Sequence, residues 1–252
     1  MSGRLAVIGL GPGDARHRTL EAEAELASAD MVYGYGPYLD RVADRDGLVK
    51  IASDNREELV RASAALASAA AGHRVAMVSG GDPGVFAMAA AVCEAVEKGD
   101  PAWRTIDLAI VPGVTAMLAV AAVAGAPLGH DFCALSLSDN LKPWSLVEQR
   151  LTAAATAGFV IALYNPISRA RPWQLGAAFT LLRQTLGDDV PVIFGRAIGR
   201  PDARLTIVPL AEADAEAADM ATLVIIGTAE TRIVERPDLA PLVYTPRFSG
   251  GA

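Results

Sequence analysis

Three glycine-containing loops carry the residues of this sequence that are best suited to ligand chemistry. They read Gly9-Leu10-Gly11-Pro12-Gly13-Asp14, Gly80-Gly81-Asp82-Pro83-Gly84 and Pro112-Gly113-Val114-Thr115-Ala116. Glycine lets the backbone turn sharply and approach a ligand closely, so that peptide groups can bind the ligand directly. Taken singly, each loop is also compatible with an ordinary structural turn, and Thr115 with a helix cap. Their value as a binding signal therefore depends on their occurring together.

The chemistry of these loops differs from that of the common nucleotide-binding loops. Asp14 stands where the dinucleotide fingerprint requires a third glycine, and no Gly-x-x-x-x-Gly-Lys-Ser/Thr sequence occurs in the chain. The carboxylate of Asp82 suits a hydroxyl or ammonium donor, such as a ribose or an amino acid, better than a phosphate. The alternative is that Asp82 caps a helix that begins near Val85. The pattern thus points away from nucleotide phosphates.

Short apolar runs alternate with helical patterns and place the three loops at strand ends. The predicted strands cover residues 5–8, 75–78, 108–111, 133–137, 159–163, 190–194, 205–208 and 223–226. A helix with apolar positions at Leu20, Ala24 and Ala27 follows the first loop, and another is predicted near residues 85–96. This alternation is typical of an α/β protein with mostly parallel sheets.

The number of predicted strands is too large for one small sheet and indicates two α/β domains with a ligand cleft between them. We place the domain change between residues 112 and 129, which gives an N-terminal α/β domain of residues 1–115 and a C-terminal α/β domain of residues 116–245. The chain is expected to fray from Val243 onward, with residues 246–252 as a flexible tail. The alanine tracts 62–71 and 211–218 are predicted to be surface helices.

Composition and charge exclude several classes of protein. The 252 residues are 52% hydrophobic but only 6% aromatic, so the core must be built mainly from aliphatic side chains. The apolar stretch 114–126 is broken by Gly125 and falls short of the roughly 20 residues of a membrane span, so we predict a buried helix. The first residues lead directly into a strand with no signal region, which predicts a cytoplasmic protein that binds no membrane. The net charge of -7 argues against nucleic-acid binding.

The cysteine and histidine residues show no metal-binding pattern. Cys93 and Cys133 lie far apart in apolar surroundings and are expected to be buried free thiols. His17, His73 and His130 are equally scattered and lack metal-ligand spacing. We therefore predict no protein-bound metal.

The order and spacing of the three loops resemble the tetrapyrrole (corrin/porphyrin) methylase family. Its N-terminal pattern is similar to residues 7–14, and the resemblance continues through Tyr164-Asn165-Pro166, Phe194-Gly195-Arg196-Ala197 and residues 222–228. It covers nearly the whole chain, from Val7 to about Thr228. It implies the fold of that family, two α/β domains with a cofactor and substrate cleft between them. It also implies S-adenosyl-L-methionine as methyl donor, S-adenosyl-L-homocysteine as product, and a homodimer.

Three segments are similar to one branch of that family, namely residues 33–39, 134–144 and 163–171. By this resemblance the chain is expected to methylate C17 of precorrin-3B and to contract the ring to precorrin-4, in aerobic cobalamin biosynthesis. One alternative is the corresponding C17 methylation of cobalt-factor III in the anaerobic route. Another is a different S-adenosylmethionine-dependent methylation of a corrin.

The resemblance also implies a set of site residues. The expected cofactor contacts are Pro12, Gly80, Gly81, Asp82, Val85, Thr115, Ala116, Tyr164, Asn165, Ala197, Thr222, Gly227 and Thr228. Ring contraction requires groups that move protons or hold the C20 oxygen. The catalytic candidates are Asp14, Tyr33, Ser138, Asp139, Asn140 and Lys142, each of which is also compatible with a role as a cap or turn residue. The carboxylates of the substrate are expected to bind Arg18, Lys142, Arg169 and Arg171.

Three other functions compete with this hypothesis. A dinucleotide-dependent oxidoreductase also uses strand–glycine loop–helix units, although its fingerprint is incomplete here. A methyltransferase of the same architecture that acts on RNA or protein is a second alternative, which the acidic balance disfavours for RNA. The third is a carrier protein that binds a tetrapyrrole without converting it.

Overall fold

The computed structural model describes residues 3–54 and 57–248. The chain divides into two compact units, Met1–Thr115 and Ala116–Ala252. None of the helices in the described residues combines the length and hydropathy that a bilayer crossing requires.

The described part of the first unit is built on a five-stranded parallel sheet. Its strands are β1 (Arg4–Gly9), β2 (Met31–Tyr35), β3 (Val49–Ser53), β4 (Arg74–Ser79) and β5 (Asp107–Val111). Their order is β3-β2-β4-β1-β5, and each strand runs parallel to its neighbours. The carboxyl ends of β4, β1 and β5 therefore lie side by side, and each is followed by one of the three glycine loops. The predicted strands 5–8, 75–78 and 108–111 are confirmed.

Helices pack on both faces of this sheet. They are α1 (Leu20–Ser28), α2 (Gly36–Leu39), α3 (Glu58–Ala70) and α4 (Met88–Lys98). Leu5 and Val7 of β1 pack in one core with residues of α3 and α4, whereas Ala6 and Ile8 pack in another with residues of α1. Burial on both faces explains why these strands are apolar at successive positions rather than at alternate ones.

Two helices differ in detail from the sequence prediction. The buried side chains of α1 are Ala22 and Leu26, and Leu20 is 91% exposed, so the apolar face predicted from Leu20, Ala24 and Ala27 is wrong. The predicted face and the observed one both have the i, i+4 spacing of a helix face. Only the position of the sheet decides which of the two faces is buried.

Helix α4 begins at Met88 rather than near residue 85. Phe86, just before it, has a left-handed backbone with a φ of 53°, which cannot continue a right-handed helix. Cys93 lies on the exposed face of α4 and Cys133 is half-buried, so both thiols are free but the expected burial is wrong for Cys93.

The described part of the second unit contains a five-stranded mixed sheet. Its elements are α5 (Ala116–Ala124), β6 (Gly125–Ala126), β7 (Phe132–Ser136), α6 (Trp144–Thr156), β8 (Val160–Tyr164), α7 (Gln174–Leu182), β9 (Pro191–Arg196), β10 (Arg204–Pro209), β11 (Thr222–Ile226), β12 (Arg232–Arg236) and β13 (Leu239–Tyr244). The order of the large sheet is β10-β9-β11-β8-β7, and β12-β13-β6 form a small sheet. In the large sheet only β7 and β8 pair in parallel, so the expectation of mostly parallel pairing is wrong for this sheet. Residues 197–203 join β9 to β10 and are too few for a parallel crossover.

Three further expectations concern the second unit. The helix predicted in residues 114–126 is confirmed as α5, but it is buried on one face only, since Leu118 and Val123 are exposed. The tract 211–218 is not a surface α-helix but contains two short 3-10 turns, Leu210–Glu212 and Ala215–Ala217. Fraying from Val243 is also wrong, because Val243 is fully buried and pairs with Gly125. Within the predicted tail 246–252, residues 249–252 lie outside the described part of the chain.

Candidate functional site

The three glycine loops of the first unit pack directly against one another. Gly11 and Gly81 exchange two backbone hydrogen bonds, with N···O distances of 3.1 and 2.9 Å. A Cβ on Gly113 would lie 2.3 Å from the carbonyl oxygen of Gly81 and 2.9 Å from the backbone of Gly9. Gly11 and Gly81 also have φ angles of 68° and 67°, a conformation that favours glycine. We call Gly9, Gly11, Gly81 and Gly113 the glycine cluster; it is a backbone surface with no room for side chains within it.

Asp82 links the second loop to the third. Its Oδ1 accepts a hydrogen bond from the Gly84 N–H at 2.8 Å, and its Oδ2 accepts one from the Gly113 N–H at 3.0 Å. The residue that caps α4 is Ala87, so the alternative of Asp82 as a helix cap is wrong. Each carboxylate oxygen offers two lone pairs, so Asp82 can accept a further donor from a ligand while it holds both loops.

The other predicted cofactor contacts of the first unit lie in or beside these loops. Pro12, Gly80 and Val85 are half-buried, and Thr115 is 5% exposed. Gly80 lies under the ring of Tyr38, because a Cβ there would be 2.8 to 3.0 Å from three atoms of that side chain. The structure therefore brings this part of the predicted set together.

Asp14, by contrast, has a local structural role. Its Oδ1 accepts from the backbone N–H of Arg16 at 2.8 Å and its Oδ2 lies 3.2 Å from the Arg16 guanidinium. These hydrogen bonds hold the pKa of Asp14 below its ordinary value. Asp14 is therefore a carboxylate at neutral pH, which can accept a hydrogen bond or a proton but has no proton to donate.

Two residues of the predicted site have other roles. Tyr33 is 6% exposed in the core, and its hydroxyl lies 2.8 Å from Oγ of Ser68 on α3, so its predicted contact with reacting atoms is wrong. The Arg18 side chain is 10% exposed, donates to Glu23 at 3.0 Å and also donates to the backbone carbonyl of Arg41. Its guanidinium is thus held inside the unit, and the predicted binding of substrate carboxylates by Arg18 stays a prediction.

In the second unit, four predicted cofactor residues share one end of the large sheet. Tyr164 ends β8, Asn165 follows it, Ala197 follows β9, and Thr222 begins β11. Thr222 pairs with Arg196, because β11 runs antiparallel to β9. Ala116, also predicted, begins α5.

Gly227 and Thr228 lie at the opposite end of β11. The Gly227 N–H donates to the carbonyl of Pro191, where β9 begins, at 2.8 Å. A five-residue strand spans roughly 17 Å at about 3.4 Å per residue. The antiparallel direction of β11 thus separates Gly227 and Thr228 from Tyr164, and their contact with the cofactor stays a prediction.

Thr228 instead belongs to a structural network at that end. Its N–H donates to the Thr231 hydroxyl at 2.8 Å, which lies 2.9 Å from the Thr245 hydroxyl. A cavity of about 450 Å³ also opens there, and its lining includes His130, Asp131 and Thr228 but none of the catalytic candidates.

Hydrogen bonds order the Tyr164 end of the sheet. The Asn165 side-chain amide donates to Oγ of Ser136 at 2.9 Å, and the Arg171 guanidinium donates to the Asn165 carbonyl at 3.1 Å. The Tyr164 hydroxyl accepts from the N–H of Met117 in the first turn of α5 at 3.1 Å. Asn165 and Ala197 have φ angles of 51° and 49°, a strained backbone that is common at functional sites.

The segment after β7 carries the remaining catalytic candidates. Lys142 donates from Nζ to the Ser138 carbonyl at 2.9 Å. Both carboxylate oxygens of Asp139 accept from the amide of the buried Gln174, at 3.1 and 3.2 Å. Asn140 is exposed. The segment is thus held in one conformation while Asn140 faces solvent.

Positive charges surround Lys142. Burial lowers the pKa of Lys142, the cations Arg150 and Arg171 also lower it, and Asp139 opposes them. Arg169, two residues before Arg171 in the sequence, is exposed. We call Lys142, Arg150 and Arg171 the cationic group; an anion bound there would relieve the repulsion between its members.

Sequence reasoning missed four residues of these sites, namely Tyr38, Arg41, Ser136 and Arg150. The first three contact residues that are distant in the chain, and no local pattern marks such contacts. Arg150 acts through the effect of its charge on Lys142. The described residues contain no group of three His, Cys, Asp or Glu side chains arranged to hold a metal ion.

Comparison with known proteins finds relatives that match nearly the whole chain. The sequence model of the tetrapyrrole (corrin/porphyrin) methylases matches residues 4–214. The precorrin-3B C(17)-methyltransferase of Sinorhizobium sp is 66% identical over 252 residues, which cover 100% of this chain and 99% of that protein. A probable cobalt-factor III C(17)-methyltransferase of Salmonella typhimurium is 39% identical over 96% of this chain and 99% of that protein. The crystal structure of the methyltransferase CobJ has a TM-score of 0.92 and 48% identity, and covers 97% of this chain and 100% of that one.

Proposed function

This chain belongs to the tetrapyrrole (corrin/porphyrin) methylase family, and we propose that it methylates C17 of precorrin-3B with contraction of the ring to precorrin-4. The observation that carries this choice is the 66% identity over the full length to the Sinorhizobium precorrin-3B C(17)-methyltransferase. The relative named for cobalt-factor III is 39% identical, which makes the cobalt-containing substrate the alternative. The proposed place of the reaction is aerobic cobalamin biosynthesis.

The glycine cluster fits S-adenosylmethionine as the methyl donor. That molecule combines a sulfonium, an ammonium, a carboxylate and a ribose, so it needs both donors and acceptors. Backbone N–H groups of the loops suit its carboxylate, whereas backbone carbonyls and Asp82 suit its ammonium and hydroxyl groups. The proposed contacts in the first unit are Pro12, Gly80, Gly81, Asp82, Val85 and Thr115. Those in the second unit are Ala116, Tyr164, Asn165, Ala197 and Thr222.

Positioning supplies much of the catalysis in this proposal. S-adenosylmethionine brings an activated methyl group, so the protein needs no strong nucleophile of its own. Holding two reactants in line contributes roughly 7–11 kcal/mol in favourable cases. The rigid backbone of the glycine cluster and the ordered Tyr164 end of the second sheet serve this purpose, because neither can shift without breaking hydrogen bonds.

Ring contraction requires groups that move protons or hold the C20 oxygen, for which we propose Ser138, Asp139, Asn140, Lys142 and Asp14. Lys142 is favoured, because burial and neighbouring cations lower its pKa toward the range in which an amine exchanges protons. Lys142, Arg169 and Arg171 are proposed to bind substrate carboxylates through charge-assisted hydrogen bonds.

Replacing Lys142 by methionine is expected to slow product formation and to leave the affinity for S-adenosylhomocysteine unchanged in calorimetry.

The direct test incubates the purified chain with S-adenosylmethionine and precorrin-3B. We expect a ring-contracted product that carries one additional methyl group, identified by mass spectrometry and its absorption spectrum. Parallel reactions use cobalt-factor III, and the anaerobic assignment replaces ours if only that substrate reacts. Tight NAD binding without binding of S-adenosylmethionine would favour an oxidoreductase. Release of bound tetrapyrrole unchanged would favour a carrier.

We also propose that the chain is cytoplasmic and forms a homodimer, as the family resemblance implies. The division into domains 1–115 and 116–245, with a tail of residues 246–252, accompanies this proposal. Light scattering of the purified chain tests the dimer, since a monomer mass of 26.2 kDa would contradict it.

A further inference from the structure

One short element of the first unit contacts two of the three glycine loops. We call residues 36–42, which comprise α2 and the three residues after it, the α2 segment. Its Tyr38 ring packs on Gly80 of the second loop. Its Arg41 reaches the first loop. The α2 segment thus fixes the loops that follow β4 and β1 relative to each other.

The Arg41 guanidinium holds the first loop through carbonyl groups. Its Nη2 donates to the carbonyl oxygens of Leu10 at 2.6 Å, Gly11 at 3.0 Å and Gly13 at 3.0 Å. Three carbonyl oxygens that converge on one point repel each other unless a donor lies between them, and a cationic donor is the strongest. A trans peptide carries its C=O and N–H on opposite sides, so the Leu10 and Gly13 carbonyls, which face Arg41, direct the N–H groups of the following residues the other way. The peptide of the Gly11 carbonyl has no N–H, because the next residue is a proline. Arg41 therefore sets the direction in which peptide groups of this loop face.

The contacts of the loop agree with this orientation. The Gly11 N–H, whose peptide carbonyl is that of Leu10, donates to Gly81 and so joins the first loop to the second. Arg41 is itself held, because the Arg18 guanidinium donates to its backbone carbonyl. A chain of contacts thus runs from Arg18 through Arg41 to the glycine cluster.

We propose that Arg41 is a positioning residue for the cofactor. It keeps the first glycine loop in the binding conformation and acts through the loop carbonyls. The inference rests on the proposed function, since it requires that the glycine cluster binds S-adenosylmethionine. It adds to that function a residue that none of the glycine motifs includes.

The test compares Arg41→Met, Arg41→Lys and the unmodified chain by calorimetric titration with S-adenosylhomocysteine, well below the melting temperature of each. Methionine fills a similar volume but donates nothing, so we expect the dissociation constant to rise by about tenfold or more. Lysine keeps a charge and three donors on a shorter side chain. The affinity of Arg41→Lys for S-adenosylhomocysteine should therefore lie between those of Arg41→Met and the unmodified chain. With S-adenosylmethionine, KM should rise with the same ranking and kcat should change less.

Arg45→Met is the matched control. Arg45 also donates from Nη2 to backbone carbonyls, those of Leu26 and Ala29 at the end of α1, and touches no glycine loop. The Arg45→Met substitution should lower the melting temperature and leave the dissociation constant for S-adenosylhomocysteine unchanged.

If the unmodified chain does not bind S-adenosylhomocysteine, the proposed function fails. If it binds and a folded Arg41→Met binds equally well, the role of Arg41 is overturned; should Arg41→Met not fold, unchanged affinity in Arg41→Lys overturns it.

Discussion

Replacement of Gly113 by alanine is expected to abolish cofactor binding and to lower the stability of the first unit. The added Cβ would lie 2.3 Å from the carbonyl oxygen of Gly81 and 2.9 Å from Gly9. Both are backbone atoms, since Gly9 ends β1 and Gly81 is hydrogen-bonded to Gly11. Neither can rotate away as a side chain would, so the loops must separate. Overpacking of this kind costs about 1–3 kcal/mol and occasionally more. In a chain of this size that lowers the melting temperature by roughly 2–4 °C per kcal/mol.

Calorimetry with S-adenosylhomocysteine and a thermal melt measure the two effects. Gly187→Ala is the control, because Gly187 is exposed and a Cβ there would have no atom within 4 Å. Gly187→Ala should leave both the affinity for S-adenosylhomocysteine and the melting temperature unchanged. Wild-type affinity in a folded Gly113→Ala protein would show that the close approach of the three loops is not required for binding.

Replacement of Asp82 by alanine is expected to weaken binding of S-adenosylhomocysteine and also to destabilise the fold. The substitution leaves the N–H groups of Gly84 and Gly113 without their carboxylate acceptor. An unsatisfied buried N–H costs about 1–3 kcal/mol. Gly113 is half-buried and Gly84 is exposed, so we expect the lower end of that range for Gly113 and less for Gly84. Because Oδ2 holds the third loop beside the second, affinity for the cofactor should fall by tenfold or more, about 1.4 kcal/mol.

Asp100→Ala separates the two effects of the Asp82 variant. Asp100 accepts a hydrogen bond from the N–H of Ala102 at 2.8 Å in a turn of the same unit, as Asp82 does from Gly84, but bridges no glycine loops. Its replacement should cost stability alone. Equal cofactor affinity in Asp82→Ala and the unmodified chain would reduce Asp82 to a turn residue.

The two variants address different properties of one surface. Gly113→Ala tests whether the backbones must touch, and Asp82→Ala tests whether the hydrogen bonds that hold them together matter for the ligand. If both variants lose affinity while Gly187→Ala and Asp100→Ala retain it, the glycine cluster is the cofactor site and its geometry is the cause. The Arg41 variants then test whether a residue outside the loops maintains that geometry.

The amino-acid sequence alone determined where the strands and the glycine loops lie. Apolar runs such as residues 5–8 and 75–78 are short-range signals, since a strand buried on both faces must be apolar at successive positions. The glycines at positions 11 and 81 are equally local signals, because their backbone conformation favours glycine whatever surrounds them. The grouping of the three loops followed from their order, and the structure confirms that they meet.

Only the tertiary structure decided which residues share an end of a sheet. Gly227 lies away from Tyr164 because β11 runs antiparallel to its neighbours, and strand direction depends on pairing between distant segments. Contacts between distant residues likewise place the Tyr33 hydroxyl beside Ser68 in the core and the Arg18 guanidinium on the backbone carbonyl of Arg41. The role of Arg41 was also invisible in the sequence, since three carbonyl groups converge on its guanidinium only after the α2 segment has packed beside the first loop. Local preferences place elements along the chain, whereas contacts between distant residues set which side chains meet.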